Sequence, residues 1–305
     1  MAATGRLFKG IRRSAAVALG ATLAIVVPGI APAAAAGAAK PAIFDRGAWY
    51  LRNSLSSGSA NQTFRYGRTG DLPVMGDWNG DGTDTVGLAR FPAGGSGQFT
   101  WHLRDFNSGG NATIAPFQFG TVRFVAVDRL GSIPIAGDWD GNGTVTVGVA
   151  QFGDNLAGPI TFHLRNSNTA GPDDVVVSYG RTDRDFPIVG DWDGNGTDTV
   201  GVVRGPNLWL LRNSSGNGPA EVSFAYGSAQ PGLIEFPVVG DWNGDGTDNP
   251  GLVRNVPATQ PEGGFRNWLL RSSNSSGGAT SNFLYGSDAF FMGLPVDYVP
   301  RLSWR

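Results

Sequence analysis

Four short segments carry Asp, Asn, Gly and Thr in a spacing that suits a metal ion. The first begins at Asp77. Oxygen-bearing side chains stand at its positions 1, 3 and 5, with Gly at position 6 and Thr at position 7. Alternate oxygen ligands on a turning chain suit Ca²⁺, and Gly at position 6 allows the sharp bend. We therefore predict up to four calcium sites, with the Thr residues offering their carbonyls. The ligands are Asp77, Asn79, Asp81 and Thr83; Asp138, Asp140, Asn142 and Thr144; Asp191, Asp193, Asn195 and Thr197; and Asp241, Asn243, Asp245 and Thr247.

Position 8 is a further candidate ligand in three copies, as Asp84, Asp198 and Asp248, while the second copy has Val145 there. No copy carries Glu at position 12 and a predicted strand follows each loop, so an EF-hand is excluded. The alternative is that the Asp-Gly and Asn-Gly pairs form plain tight turns. Tight turns would not explain oxygen atoms at three alternate positions in all four copies. Mg²⁺ fits less well because it retains water ligands.

The loops belong to a longer repeat. They begin at positions 77, 138, 191 and 241, which are 61, 53 and 50 residues apart, a period typical of propeller blades or solenoid units. An apolar run precedes each loop, and a T-V-G run or its equivalent follows it. An aromatic-x-L-R motif and then an aromatic-Gly motif complete the unit. The alternation and the Gly/Asn/Ser-rich boundaries predict four antiparallel strands, which we call a, b, c and d in chain order.

Four-stranded units of this length predict an all-β chain forming a five-bladed β-propeller. The first unit lacks strand a, and residues 294–299 resemble a strand a without a loop. We therefore expect the N- and C-terminal strands to pair and close the ring, which removes exposed sheet edges. A β-solenoid is the structural alternative, but it needs no complementary half-units at its ends. The predicted blades are 42–67 with 294–299, 72–120, 133–180, 186–227 and 236–286.

The D-x-[DN]-G-[DN]-G loops and the apolar-Gly strands before them resemble FG-GAP or VCBS-type repeats. These are the calcium-binding propeller repeats of integrin α chains and of many secreted bacterial proteins. The resemblance covers about residues 42–299. In that family a carboxylate commonly closes the loop at position 9, where this chain has Thr85, Thr146, Thr199 or Asn249, with the acid at position 8 instead. The resemblance implies extracellular adhesion or ligand recognition.

The first 36 residues have the layout of a secretory signal peptide: a basic start, an apolar run from about Ala15 to Ile30, and a small-residue stretch. An uncleaved membrane anchor is the alternative, although the apolar run is short for a span. We expect a secreted, extracellular protein whose single domain, 37–305, is a monomer that does not insert into a membrane after cleavage. The chain has a net charge of −2 and loses basic residues with the leader, which argues against nucleic-acid binding.

These features favour a non-enzymatic binding or adhesion module for an extracellular glycan or protein. The alternative is a carbohydrate-active enzyme, a glycoside hydrolase or lyase, using non-repeated acids. The candidate acids for such a role outside the loops are Asp128, Asp154, Glu235 and Asp297. We expect both histidines, His102 and His163, to be repeat-position residues. The strand-c arginines are expected to pair with carboxylates or cover apolar surface, and the loop tryptophans to pack between blades. The irregular segments 91–100, 121–132 and 255–265 are candidate partner surfaces.

Overall fold

A computed structural model describes residues 37–126, 129–154, 157–228, 235–255, 265–287 and 301–304. Within these ranges the regular elements are all β-strands. Blade 1 contains β1 (Lys40–Asp45), β2 (Ala48–Leu51), β3 (Gln62–Arg65) and β22 (Arg301–Trp304). Blade 2 contains β4 (Leu72–Gly76), β5 (Thr85–Arg90), β6 (Gly97–Leu103) and β7 (Phe117–Val122). A two-stranded hairpin follows, β8 (Phe124–Ala126) and β9 (Arg129–Leu130).

Three further blades have the same pattern. Blade 3 contains β10 (Ser132–Gly137), β11 (Thr146–Gln151), β12 (Ile160–Leu164) and β13 (Val175–Tyr179). Blade 4 contains β14 (Asp185–Gly190), β15 (Thr199–Arg204), β16 (Leu208–Leu211) and β17 (Val222–Ala225). Blade 5 contains β18 (Glu235–Gly240), β19 (Asn249–Asn255), β20 (Phe265–Leu270) and β21 (Ser281–Ser287).

The five sheets form a closed ring. Each is antiparallel, with strands in the order a, b, c, d. The a strands contact one another in the cyclic order β4, β10, β14, β18, β22 and back to β4, so they lie nearest the axis. The protein is therefore a five-bladed β-propeller, as predicted, and the solenoid alternative is excluded.

Blade 1 is completed by strands from the two ends of the chain. β22 pairs with β1 in antiparallel register, with Lys40 opposite Trp304 and Ala42 opposite Leu302. The predicted pairing of N- and C-terminal strands is thus confirmed. The segment predicted as the closing strand, 294–299, lies outside the described residues, as does the predicted signal peptide. Nothing helical in the described ranges has the length and apolarity needed to cross a membrane.

Each blade is built around the aromatic residue of strand c. Trp49, Trp101, Trp209 and Trp268 are fully buried. The indole N–H of each donates to a backbone carbonyl at the end of strand d, as in the 2.8 Å bond from Trp49 to Tyr66. Burial of so large an apolar group stabilises the blade, and the hydrogen bond satisfies its one polar atom. This packing fixes the two outer strands and therefore the loop between them.

Candidate functional site: the loop face

The four Gly-Asp loops lie on one face of the ring, which we call the loop face. Each joins strand a to strand b, as in β4–β5 and β10–β11. Because successive strands of a blade are antiparallel, the c–d loops emerge on the same face. The loop face therefore carries an inner circle of Gly-Asp loops and an outer circle of c–d loops.

The oxygen atoms at positions 1, 3 and 5 hold the backbone of each loop. In the first loop Asp77 accepts hydrogen bonds from the N–H groups of Asp81 at 2.9 Å and Gly82 at 2.7 Å. Asn79 accepts from the N–H of Asp81 at 3.2 Å, and Asp81 from that of Thr83 at 2.8 Å. The other three loops repeat this pattern. The alternate spacing is thus used to fold the turn itself.

The donor set of each loop has the right chemistry for calcium. The position-1 carboxylates are buried and accept backbone N–H groups of their own loops. In the first loop Asp77, Asn79, Asp81 and the Thr83 carbonyl would hold the ion, and these are the hard oxygen ligands that Ca²⁺ prefers. Each loop has two carboxylates and one amide at positions 1, 3 and 5. Accordingly, the described residues contain no metal-binding group of three or more His, Cys, Asp and Glu side chains.

Position 8 connects neighbouring blades. The carboxylate of Asp198 accepts a hydrogen bond from the N–H of Asp138 at 2.8 Å, and its own N–H donates to the Asp138 carbonyl at 2.7 Å. Asp248 forms the same pair of bonds with Asp191, at 3.0 and 2.7 Å. Val145 keeps only the backbone half, a 2.9 Å bond to the carbonyl of Asp77. We call this arrangement the position-8 clamp. Two of the three carboxylates considered as extra calcium ligands, those of Asp198 and Asp248, thus have one oxygen bound to an adjacent blade.

Ala38 and Ala39, just before β1, connect blade 1 to the Gly-Asp loop of blade 5 in a similar way. The N–H of Ala39 donates to the carbonyl of Asp241 at 2.5 Å, as position 8 does elsewhere. Ala38 lies beside Gly244, where a Cβ would be 3.4 Å from the Ala38 nitrogen. In the preceding pair of blades, Thr247 lies beside Gly194 in the same way. Ala38 and Ala39 therefore occupy the places of positions 7 and 8 of a Gly-Asp loop.

The strand-c arginines organise the c–d loops. In blade 5 the guanidinium of Arg271 donates to the carbonyls of Ser275 at 2.7 Å, Ser276 at 2.8 Å and Gly278 at 2.7 Å. Arg52, Arg104, Arg165 and Arg212 bind carbonyls of their own c–d loops in the same manner. The sequence predicts that these residues pair with carboxylates or cover apolar surface. Their main partners are instead loop carbonyls, although the guanidinium groups of Arg52, Arg104 and Arg212 also lie over aromatic rings.

Carboxylate contacts occur beside two of these arginines. The Arg165–Asp174 distance is 3.2 Å and the Arg212–Glu221 distance is 3.5 Å. Elsewhere the loop carbonyls are the partners of the guanidinium, since a short loop curled around it presents several carbonyls at once.

The loop tryptophans are buried. Trp78, Trp139, Trp192 and Trp242 lie behind the loops, and their rings pack on glycines of the same blade. A Cβ at Gly137, for example, would lie 2.6 Å from the Trp139 ring. The sequence predicted packing between blades, whereas these glycine contacts lie within a blade.

The opposite face carries ion pairs between the start of strand a and the end of strand b. Arg204 binds Asp185 through two hydrogen bonds of 2.7 and 2.8 Å, and Arg90 binds Asp71 in the same way. In blade 3 the corresponding residues are Ser132 and Gln151. These pairs lock the two inner strands at the end remote from the loops.

Of the acids proposed for the enzyme alternative, Glu235 and Asp154 are described, and they belong to different blades. Glu235 forms an ion pair with Arg254 and accepts a hydrogen bond from the N–H of Ser228 at 2.7 Å. Asp154 has a 79% exposed side chain that lies 3.4 Å from Arg123 in another part of the ring. Asp128 and Asp297 lie outside the described residues. Glu235 therefore has a structural role in its blade.

The two histidines occupy equivalent places in strand c, as predicted. His163 Nδ1 lies 2.8 Å from a carboxylate oxygen of Asp173. His102 is half-buried, and burial, followed by the charge of Arg90, lowers its pKa. The sequence indicated their positions but not these different surroundings.

Comparison with known protein families finds none that matches the chain, and no curated protein matches it either.

Proposed function

We propose that this protein is a secreted, calcium-stabilised β-propeller of the FG-GAP/VCBS type that binds an extracellular glycan or protein. The observation that carries the proposal is the fourfold loop with oxygen atoms at positions 1, 3 and 5 on one face of a closed ring. Rings of repeated loops on a rigid scaffold are common recognition surfaces. The exposed Ser-, Asn- and Gly-rich c–d loops supply many hydrogen-bonding groups around it.

Calcium would act through stability. If each site binds with a dissociation constant of ~0.1 mM in ~1 mM Ca²⁺, it adds roughly 1.4 kcal/mol to the free energy of unfolding. Several sites would matter to a protein without cysteine. We expect purified protein to melt at a higher temperature in Ca²⁺ than in EGTA. Equal melting temperatures in the two conditions would contradict the calcium part of the proposal.

A single-loop variant makes this test sharper. Asp193 stands at position 3, is exposed, and makes only a long 3.3 Å bond within its loop. Replacing it with Ala should therefore leave the melting temperature in EGTA nearly unchanged while reducing the calcium-induced rise. The matched control is Asp154→Ala, which changes an exposed acid outside the loops and should leave the calcium response unchanged.

Ligand recognition and secretion need separate tests. A glycan array probed with and without EGTA would identify a carbohydrate ligand, and N-terminal sequencing of protein from the culture medium would locate the cleavage site. A polysaccharide-cleavage assay tests the enzyme alternative. Turnover that is lost in Glu235→Gln, with the fold retained, would replace the binding-module proposal.

A further inference from the structure

The outer parts of neighbouring blades meet along five seams. In each seam the aromatic-Gly end of strand d packs against strand b of the next blade. A Cβ at Gly67 would lie 2.7 Å from Leu88 Cδ1, and Leu88 is paired across the sheet with His102. Tyr66, just before Gly67, is therefore directed to the part of β6 that carries His102.

In the seam between blades 4 and 5 the equivalent tyrosine hydroxyl has a hydrogen-bond partner. There the hydroxyl of Tyr226 donates to the carbonyl of Leu269 at 2.9 Å. Leu269 occupies the place in β20 that His102 occupies in β6, since each is paired with the equivalent leucine of strand b. The seam between blades 1 and 2 has the same backbone arrangement but a different set of polar atoms.

Three polar atoms in the seam between blades 1 and 2 are buried without a hydrogen-bond partner among the described residues. They are Tyr66 Oη, His102 Nε2 and Arg104 Nε. The Tyr66 residue is only 6% exposed. The contact between Gly67 and Leu88 and the pairing of Leu88 with His102 place Tyr66 and His102 in the same seam. A buried polar atom without a partner costs stability, so such a group calls for an explanation.

The charges in this seam favour an anion. Arg104 donates to the carbonyls of Asn111 and Gly109 and to the hydroxyl of Ser108. No ion pair with a carboxylate involves Arg104 in the part of the chain that is described. The acid of this seam, Asp71, is bound to Arg90 by two hydrogen bonds. Among the described residues Arg104 thus has no carboxylate partner, as is also the case for Arg52 and Arg271, whereas Arg212 lies 3.5 Å from Glu221.

We propose that the seam between blades 1 and 2 binds a small carboxylate-bearing ligand through Tyr66 Oη, Arg104 Nε and His102 Nε2. All three groups can donate a hydrogen bond, and a carboxylate accepts several at once. The neutral imidazole is suited to this role with its proton on Nε2. This site is separate from the Gly-Asp loops and does not require calcium.

The two histidines provide an internal comparison for a direct test. The probe is sodium acetate, added to ¹⁵N-labelled protein in EGTA while the imidazole nitrogen signals are recorded by NMR. The His163→Leu variant assigns the signals. We expect the His102 signals to move saturably with acetate and the His163 signals to stay in place. Sodium chloride at the same ionic strength and neutral acetamide should produce little change.

Two tyrosine variants localise the effect. Tyr66→Phe keeps the ring but removes the hydroxyl, and should weaken acetate binding at least about tenfold, because a hydrogen bond to a charged group is lost. Tyr226→Phe is the matched control and should bind acetate as the wild type does. Unmoved His102 signals, an equal response to chloride or acetamide, or unchanged affinity in Tyr66→Phe would overturn the proposal. The first of these results would assign the three polar atoms to buried water.

Discussion

The position-8 clamp leads to a quantitative prediction for Asp198→Val. The carboxylate accepts a 2.8 Å hydrogen bond from the N–H of Asp138, and both residues are at most 2% exposed. Val cannot accept that bond, so a buried N–H loses its partner. Loss of a charge-assisted bond of this kind costs about 2–3 kcal/mol. Val145 already occupies the equivalent place in blade 3, which indicates that its volume is tolerated.

The assay is urea unfolding in ~1 mM Ca²⁺ and again in EGTA, supported by thermal melting. We expect the free energy of unfolding to fall by about 2–3 kcal/mol in both conditions, with a decrease in melting temperature on the order of 5–10 °C. The matched control is Asp140→Ala, which removes an exposed position-3 acid and should cost less than about 0.5 kcal/mol in EGTA.

The two conditions separate the possible roles of Asp198. If it holds neighbouring blades together, its replacement costs the same with and without the ion. A cost present only with Ca²⁺ would refute the clamp and restore position 8 as a ligand. A cost below about 0.5 kcal/mol in both conditions would show that the hydrogen bond contributes little.

Three further predictions concern other parts of the ring. Gly277 has φ = 148°, and a Cβ there would lie 2.5 Å from a guanidinium nitrogen of Arg271. Gly277→Ala should therefore lower the free energy of unfolding in urea by about 1–3 kcal/mol. Its neighbour Gly278 faces open space, so Gly278→Ala should cause no such loss. Arg204→Ala should cost about 2–3 kcal/mol because it leaves the buried Asp185 without its cation, and adding Asp185→Ser should recover much of this in a double-mutant cycle. Burial raises the pKa of Tyr179 to about 12 from 10, so its contribution to stability should be full below pH 10 and decline as pH rises towards 12. Tyr179→Phe should reduce the dependence of the free energy of unfolding on pH in this range. An unchanged pH dependence in the variant would contradict the raised pKa of Tyr179.

The strand order and blade count could be predicted because they depend on local patterns. The apolar alternation, the loop motif and the strand-c aromatic recur within each unit, and the incomplete first unit implied closure by the last strand. The hydrogen-bond partners of the strand-c arginines could not be predicted from such local patterns. Their main partners are backbone carbonyls, and because every residue has one, the sequence does not indicate which carbonyls accept the bonds.

The position-8 residues show a second limit. The sequence shows Asp at 198 and Val at 145, but the atom that Asp198 binds lies 60 residues earlier in the chain. Ala38 and Ala39 gave no signal either, because their role depends on backbone position in the assembled ring. Contacts between units are set by how the blades are arranged, and a repeat motif alone does not specify them.

The pairing of β22 with β1 has a consequence for biosynthesis. Of the strands described, the one that completes blade 1 is the last to leave the ribosome. Until then β1 presents an unpaired edge while the other sheets can already assemble. An exposed edge invites pairing with another chain, so nascent or truncated polypeptides are the species most prone to aggregate.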